Sequence, residues 1–250
     1  MKLIVDIGNT AIKFAYAHND TVTYLGRFYT SQISKSKLDE VTKNLDNVEQ
    51  IYISSVVPAI NNIVDKYCKE KYSLKPIYLK VGDYPDIKVD IDEPNELGID
   101  LYCDIVSGFE ISKKEDKPVI IIDLGTATKL LYIDQSGVFN KCAIIPGIEL
   151  NKKILSSSTA LLPFSELERV KNISEARNTI DVLNSSIYFS HIDAINGLIN
   201  RLEKETNSHC LYVVTGGNAK VVLDHLKEPH ILDEQLCFNG INKIIKGYKL

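Results

Sequence analysis

Two stretches of this chain end an apolar run in the same way. Leu3-Ile4-Val5 runs into Asp6-Ile7-Gly8-Asn9-Thr10, and Val119-Ile120-Ile121-Ile122 runs into Asp123-Leu124-Gly125-Thr126-Ala127-Thr128. Apolar residues resume after each, as Ala11-Ile12-Lys13-Phe14 in the first copy and Lys129-Leu130-Leu131-Tyr132-Ile133 in the second. Each reads as strand, tight turn and strand. One such turn is an ordinary hairpin. Two with matching flanks, half a chain apart, predict one domain type used twice.

The residue types in the turn suit a bound anion. Glycine there lets a bulky anion approach the main-chain N–H groups. An aspartate facing the same anion makes sense when a metal ion or water sits between them. Carboxylate, open backbone, hydroxyl and Lys13 together suit a magnesium-nucleotide polyphosphate.

The remaining composition narrows the partner. In 250 residues, 29 Lys plus Arg stand against 33 Asp plus Glu, so the charge advertises neither nucleic acid nor an anionic membrane. A small molecule is the easier expectation. The first apolar run is too short for a signal-peptide core and no stretch reaches bilayer length, which predicts a cytoplasmic protein with no membrane segment. Cys68, Cys103, Cys142, Cys210 and Cys237 are odd in number and show no ligand spacing, so they read as thiols in a reducing compartment. The five histidines are equally scattered, which argues against a zinc site or a Ser-His-Asp triad.

Along the chain, three adjacent strands (the third over 21–28) give way to alternating helix and strand: a polar helix over 36–46, strand 50–54, helix 59–71 and strand 76–79. Residues 80–96, rich in Asp and Pro, read as a functional loop or short extra strands. A helical stripe covers 98–112, and Lys113-Lys114-Glu115-Asp116-Lys117 marks the boundary. The domains are therefore expected at 1–116 and 117–250. In the second, strands over 119–123, 129–134 and 138–145 precede helices over 148–156 and 181–203. The longer helix buries Ile187, Phe189, Ile192, Ile195, Leu198, Ile199 and Leu202. A buried strand over 210–214 ends at Thr215-Gly216-Gly217-Asn218, where the glycines would admit a flat ring and a helix from about Ala219 would offer its positive end.

These elements in this order resemble type III pantothenate kinase, of the acetate and sugar kinase, heat-shock protein 70 and actin superfamily. The phrases that carry the resemblance are Asp6 to Thr10 with Lys13, Ser54-Ser55-Val56-Val57-Pro58, Glu96-Leu97-Gly98-Ile99-Asp100 and Asp123 to Thr128. They continue as Ile145-Pro146-Gly147, Ala160-Leu161-Leu162-Pro163, Asn178-Thr179 and Thr215-Gly216-Gly217. The resemblance implies an α/β fold of two duplicated ribonuclease-H-like, actin-like ATPase domains, each a mixed sheet flanked by helices. It also implies transfer of phosphate from ATP to the primary hydroxyl of pantothenate, the first step of coenzyme A biosynthesis, by a homodimer.

By the same resemblance, Asp6, Ile7, Gly8, Asn9, Thr10, Ala11, Ile12 and Lys13 hold the ATP phosphates with Thr126, and Asp6 also faces magnesium. Asp100 is the general base. Gly98, Ile99, Asp100, Leu101 and Thr179 meet pantothenate, and Asp123 binds a monovalent cation, potassium or ammonium. The chemistry agrees: phosphoryl transfer needs donor and acceptor positioned and charge neutralised, with a carboxylate at the alcohol to take the proton. Asp104, one turn beyond Asp100, reads as surface. Thr179 by itself reads as a possible helix cap after Asn178.

Two positions depart from the family. Leu101 stands where an arginine usually holds the pantothenate carboxylate, and losing that charge-assisted contact costs about 1.5–3 kcal/mol, roughly tenfold to a hundredfold in affinity. Either another cation such as Arg177 or Lys129 takes over, or the acid is weakly bound or different. Lys141-Cys142 replaces a glycine pair, which puts the loop at Pro146-Gly147 in question. The competing readings are a kinase of the same fold for another small hydroxylated substrate, and a non-catalytic accessory family member.

Overall fold

The computed structural model describes residues 1–158 and 172–247. They form two compact units, one of Met1–Glu110 with Gln235–Leu250 and one of Ile111–Glu234.

In the first unit, alternation along β1 (Lys2–Ile7) decides what each side chain meets. Leu3, Val5 and Ile7 enter one core cluster with Ile12, Phe14, Phe28, Ile51, Ile53 and Val64. Ile4 and Asp6 therefore point to the opposite face. Strands β2 (Ala11–His18) and β3 (Thr21–Tyr29) continue from β1 as antiparallel hairpins, and Phe14 stacks on Phe28 with ring centroids 5.6 Å apart. Helix α1 (Lys35–Val41) starts at Ser34, whose side chain accepts a hydrogen bond from the Lys37 N–H. It is shorter than the pattern over 36–46 suggested. Strand β4 (Gln50–Ser55) lies parallel to β1. Pro58 opens a single 3-10 turn before α2 (Asn61–Tyr72), which ends at Ser73 in the left-handed conformation. Strand β5 (Ile77–Tyr78) follows, the loop beyond it carries the short β6 (Lys88–Val89), and α3 (Ile99–Ser112) closes the segment.

The second unit repeats the plan. Strands β7 (Val119–Leu124), β8 (Ala127–Ile133) and β9 (Val138–Pro146) form antiparallel hairpins. Helices α4 (Ile148–Ser158) and α5 (Thr179–Thr206) lead to β10 (Leu211–Thr215), which runs parallel to β7; α6 (Ala219–Val222) and β11 (His230–Leu232) follow. The order β3-β2-β1-β4-β5 in one unit returns as β9-β8-β7-β10-β11 in the other, with the same parallel and antiparallel senses. The duplication expected from two turns thus extends to the order of five strands. On α5, Ile187, Ile192, Ile195, Ile199 and Leu202 are buried as expected, while Phe189 and Leu198 pack at the cluster's margin.

Helix α7 (Leu236–Gly247) returns to the first unit, so the division differs from the expected 1–116 and 117–250. A Cβ at Gly240 would overlap the backbone of Cys103, so the two helices meet main chain to main chain. Phe238 packs against Tyr24, Lys243 reaches Glu110 at 3.3 Å, and Lys246 pairs with Asp20. The Ala160-Leu161-Leu162-Pro163 phrase lies outside the described residues. Among the described residues, no helix is long and apolar enough to cross a membrane.

Candidate active site

Three distant phrases converge in the first unit. The turn after β1 closes with the Gly8 N–H donating to the Ala11 carbonyl at 3.0 Å, and the Thr30 hydroxyl donates to the Gly8 carbonyl at 2.6 Å. Asn9 and Thr10 are exposed at its tip. Ile7 and Ile12 are fully buried, so only their main chain is placed to meet a nucleotide. The Val56 N–H, just past β4, donates to the Ile7 carbonyl at 3.0 Å, and a Cβ at Gly98 would lie 3.5 Å from Val56. The Ser54–Pro58 phrase is therefore wedged between the phosphate turn and the start of α3.

Asp6, 4% exposed, stands opposite Lys13 in the β1–β2 ladder and beside Ser54 in the β1–β4 ladder. Its carboxylate takes the Lys13 ammonium at 3.4 Å and the Ser54 hydroxyl at 3.3 Å. Burial raises the Asp6 pKa against the opposing pull of Lys13, and the Asp100 carboxylate adds to the rise. Burial would lower the Lys13 pKa, but Asp6, Cys237 and Asp104 hold it above its ordinary value. Asp6 thus shares an electrostatic neighbourhood with Lys13 and Asp100, and Lys13 with Asp104. Among the described residues no three metal-ligating side chains are gathered, so a divalent cation here would take one protein carboxylate and its other ligands from nucleotide phosphate and water, as magnesium favours.

Asp100 lies in the first turn of α3, where the helix field favours a carboxylate, and its Oδ1 accepts the Leu101 N–H at 2.9 Å. Asp104 is 6% exposed, which corrects the expectation that it was surface. Tyr102, Cys103, Ile105 and Val106 are also fully buried, so α3 has no wet face at this level.

The second unit builds the same arrangement. Asp123 stands opposite Lys129 in the β7–β8 ladder and beside Thr215 in the β7–β10 ladder, and the Lys129 ammonium is 2.6 Å from the carboxylate. Two glycines explain the Pro-Gly and Thr-Gly-Gly phrases. The Gly147 N–H donates to the Thr126 carbonyl at 3.1 Å, and a Cβ there would press into the Gly125–Thr126 backbone. Gly216, at φ +98°, lies so close to Leu124 that a Cβ would come within 2.5 Å of its backbone. The Asn218 N–H donates to the Leu124 carbonyl at 3.0 Å. The glycine at 216 thus serves backbone packing, and α6 has only four residues, too short for the helix end expected there.

Lys141 and Cys142 sit within β9, where the register shifts next to Lys141, with the Lys141 ammonium over the Tyr132 ring, and the Gly147–Thr126 bond is made just past the strand's end. Thr126 is exposed at the turn; Thr179, also exposed, is the first residue of α5, while Asn178 is the cap that accepts the Asp181 N–H. Sequence reasoning missed His191, whose Nε2 lies 3.1 Å from the buried Thr128 hydroxyl and whose pKa is lowered by burial. Its i+4 spacing from Ile187 on the buried stripe of α5 was the available signal.

The comparisons decide the family. A model of type III pantothenate kinase matches residues 2–201. The chain belongs to the type III pantothenate kinase family. A family member from Persephonella marina is 31% identical over 98% of both chains, and one from Listeria monocytogenes is 28% identical over 100% of this chain and 98% of its own. Among solved structures, a protein described as a Baf family transcriptional activator from Campylobacter jejuni aligns with a TM-score of 0.60 at 20% identity, over 98% of this chain and 97% of that one. Component A of (R)-2-hydroxyglutaryl-CoA dehydratase from Acidaminococcus fermentans aligns at 0.55 and 16% identity, over 99% of each. These two likenesses speak for the fold alone.

Proposed function

We propose that this chain transfers the γ-phosphoryl group of ATP to the primary hydroxyl of pantothenate, the opening step of coenzyme A biosynthesis, in the cytoplasm and as a homodimer. The observation that carries the reading is the shared electrostatic neighbourhood of Asp6, Lys13 and Asp100 in the first unit. It supports a reading in which the turn after β1 serves as donor site and the carboxylate at the start of α3 as base.

In that reading, Asn9 and Thr10 present the open part of the turn to the polyphosphate, since the Gly8 N–H is already held by Ala11. Lys13, with 43% of its side chain exposed, leaves Asp6 for the transferring phosphate, where it neutralises charge spreading over the equatorial oxygens. Asp100 accepts the hydroxyl proton late in transfer. Magnesium with the nucleotide would supply further neutralisation, held on the protein side by Asp6. Gly98, Ile99 and Leu101, at the start of α3, belong to the acceptor site.

Leu101 favours a second reading, an acceptor without a carboxylate. The test is ADP release at millimolar ATP with pantothenate and with a panel of other small alcohols. Pantothenate-dependent turnover supports the first reading; turnover only with another alcohol supports the second.

A further inference from the structure

The resemblance assigns Asp123 a free monovalent cation, and the structure puts a side chain there instead. We propose that the Lys129 ammonium is this chain's own monovalent cation, so that the site at Asp123 works without potassium. The inference deepens the kinase reading and, for its turnover arm only, rests on it.

The two halves of the duplication make the argument by contrast. Lys13 and Lys129 hold equivalent ladder positions opposite Asp6 and Asp123. Lys13 is loosely engaged, 3.4 Å from its carboxylate with 43% of its side chain exposed. Lys129 is 2.6 Å from Asp123, with only 20% and 14% of the two side chains exposed. A lysine free to swing serves a mobile phosphate; one held close in a half-buried site serves as a fixed charge. The turn beside it is closely packed too, since a Cβ at Gly147 or at Gly216 would overlap the Leu124–Thr126 backbone.

One carboxylate carries one negative charge, and a single ammonium at ion-pair distance balances it. A free cation would have to displace an ammonium that stands 2.6 Å from the carboxylate with only 20% of its side chain exposed. Placing that group costs only the ordering of one side chain, whereas a free ion must be captured and dehydrated each time. The chemistry of the donor set thus disagrees with a potassium site at Asp123.

The experiment compares the wild-type chain and Lys129→Ala in potassium, ammonium, sodium and choline chloride at matched ionic strength, reading thermal midpoint without nucleotide and then turnover. The wild type is expected to give the same midpoint and the same rate in all four salts. Lys129→Ala, which opens the space, is expected to gain a midpoint increase specific to potassium and ammonium. It is also expected to lose about tenfold or more in turnover without those ions, the scale of one lost charge-assisted contact, and to recover in their presence. A potassium-specific midpoint shift or rate stimulation in the wild type overturns the proposal. So does a Lys129→Ala protein whose midpoint and rate ignore potassium, which would place Lys129 on substrate phosphate. The wild-type salt series needs no variant, and its thermal arm decides the point even if pantothenate is not the substrate.

Discussion

Lys13 faces Asp6 across the β1–β2 ladder at 3.4 Å while keeping 43% of its side chain exposed. The lysine neutralises a buried carboxylate: the Asp6 side chain is only 6% exposed, and removing its partner would leave that charge uncompensated. Its position at the mouth of the phosphate turn gives it another use. Replacing Lys13 with Ala is expected to lower kcat/KM for ATP roughly tenfold to a hundredfold and also to lower the thermal midpoint, and adding Asp6→Asn is expected to restore the midpoint but not the activity. Circular dichroism melting and ATP-dependent kinetics check the pair of outcomes.

The partner of that lysine carries the opposite burden. Because burial raises the Asp6 pKa, the stability that the folded chain gains from a protonated Asp6 is present below pH 3.8 and lost as pH rises through the higher folded value. At neutral pH the ionised form is therefore kept at some cost to folding. Asp6→Asn is expected to melt no lower than wild type while losing nucleotide turnover, with Lys13 exposed enough to hydrate once unpaired. A lower midpoint would show that Asp6 is a structural charge.

Gly216 offers a steric test. At φ +98° and with Leu124 backbone 2.5 Å from any Cβ, Gly216→Ala is expected to cost at least about 2 kcal/mol, or roughly 4–8 °C in midpoint. Gly217, which has nothing within 4 Å of a built Cβ, is the control, and Gly217→Ala is expected to change the midpoint by less than about 2 °C. Paired thermal melts read the difference.

His191 links stability to pH. Burial keeps its folded pKa below 6.5, so under that pH the unfolded chain binds a proton that the folded chain refuses. Stability is present above pH 6.5 and falls as pH drops below it, with a slope approaching about 1.4 kcal/mol per pH unit from this group. His191→Gln, which keeps a partner for Thr128, is expected to flatten the urea-denaturation midpoint between about pH 5 and pH 6.5.

Much of this was legible because it was local. The two Asp-x-Gly turns, their lysines and the buried stripe of α5 are each written in one contiguous segment whose period reveals its faces. The rest depends on contacts between distant segments. Asp104 looked like surface because a helix pattern cannot say that α3 is covered at that level, and Tyr102, Cys103 and Val106 beside it are ambiguous alone. The return of α7 to the first unit rests on Gly240 meeting the Cys103 backbone, a fit with no periodicity. The glycine at 216 looked like a ligand contact and turned out to admit backbone. Lys129 was read only as a stand-in for the missing arginine, because the Asp123 contact appears only when register is known.

The central claim is that the Asp6 turn and Asp100 form one phosphoryl-transfer site. Its most direct test follows phosphopantothenate formation by mass spectrometry in wild type and Asp100→Asn, with nucleotide binding measured alongside. The expected result is product from the wild type, a loss of about 10²- to 10⁴-fold in kcat for the variant, and unchanged nucleotide affinity. Turnover of Asp100→Asn within a fewfold of wild type would contradict the account.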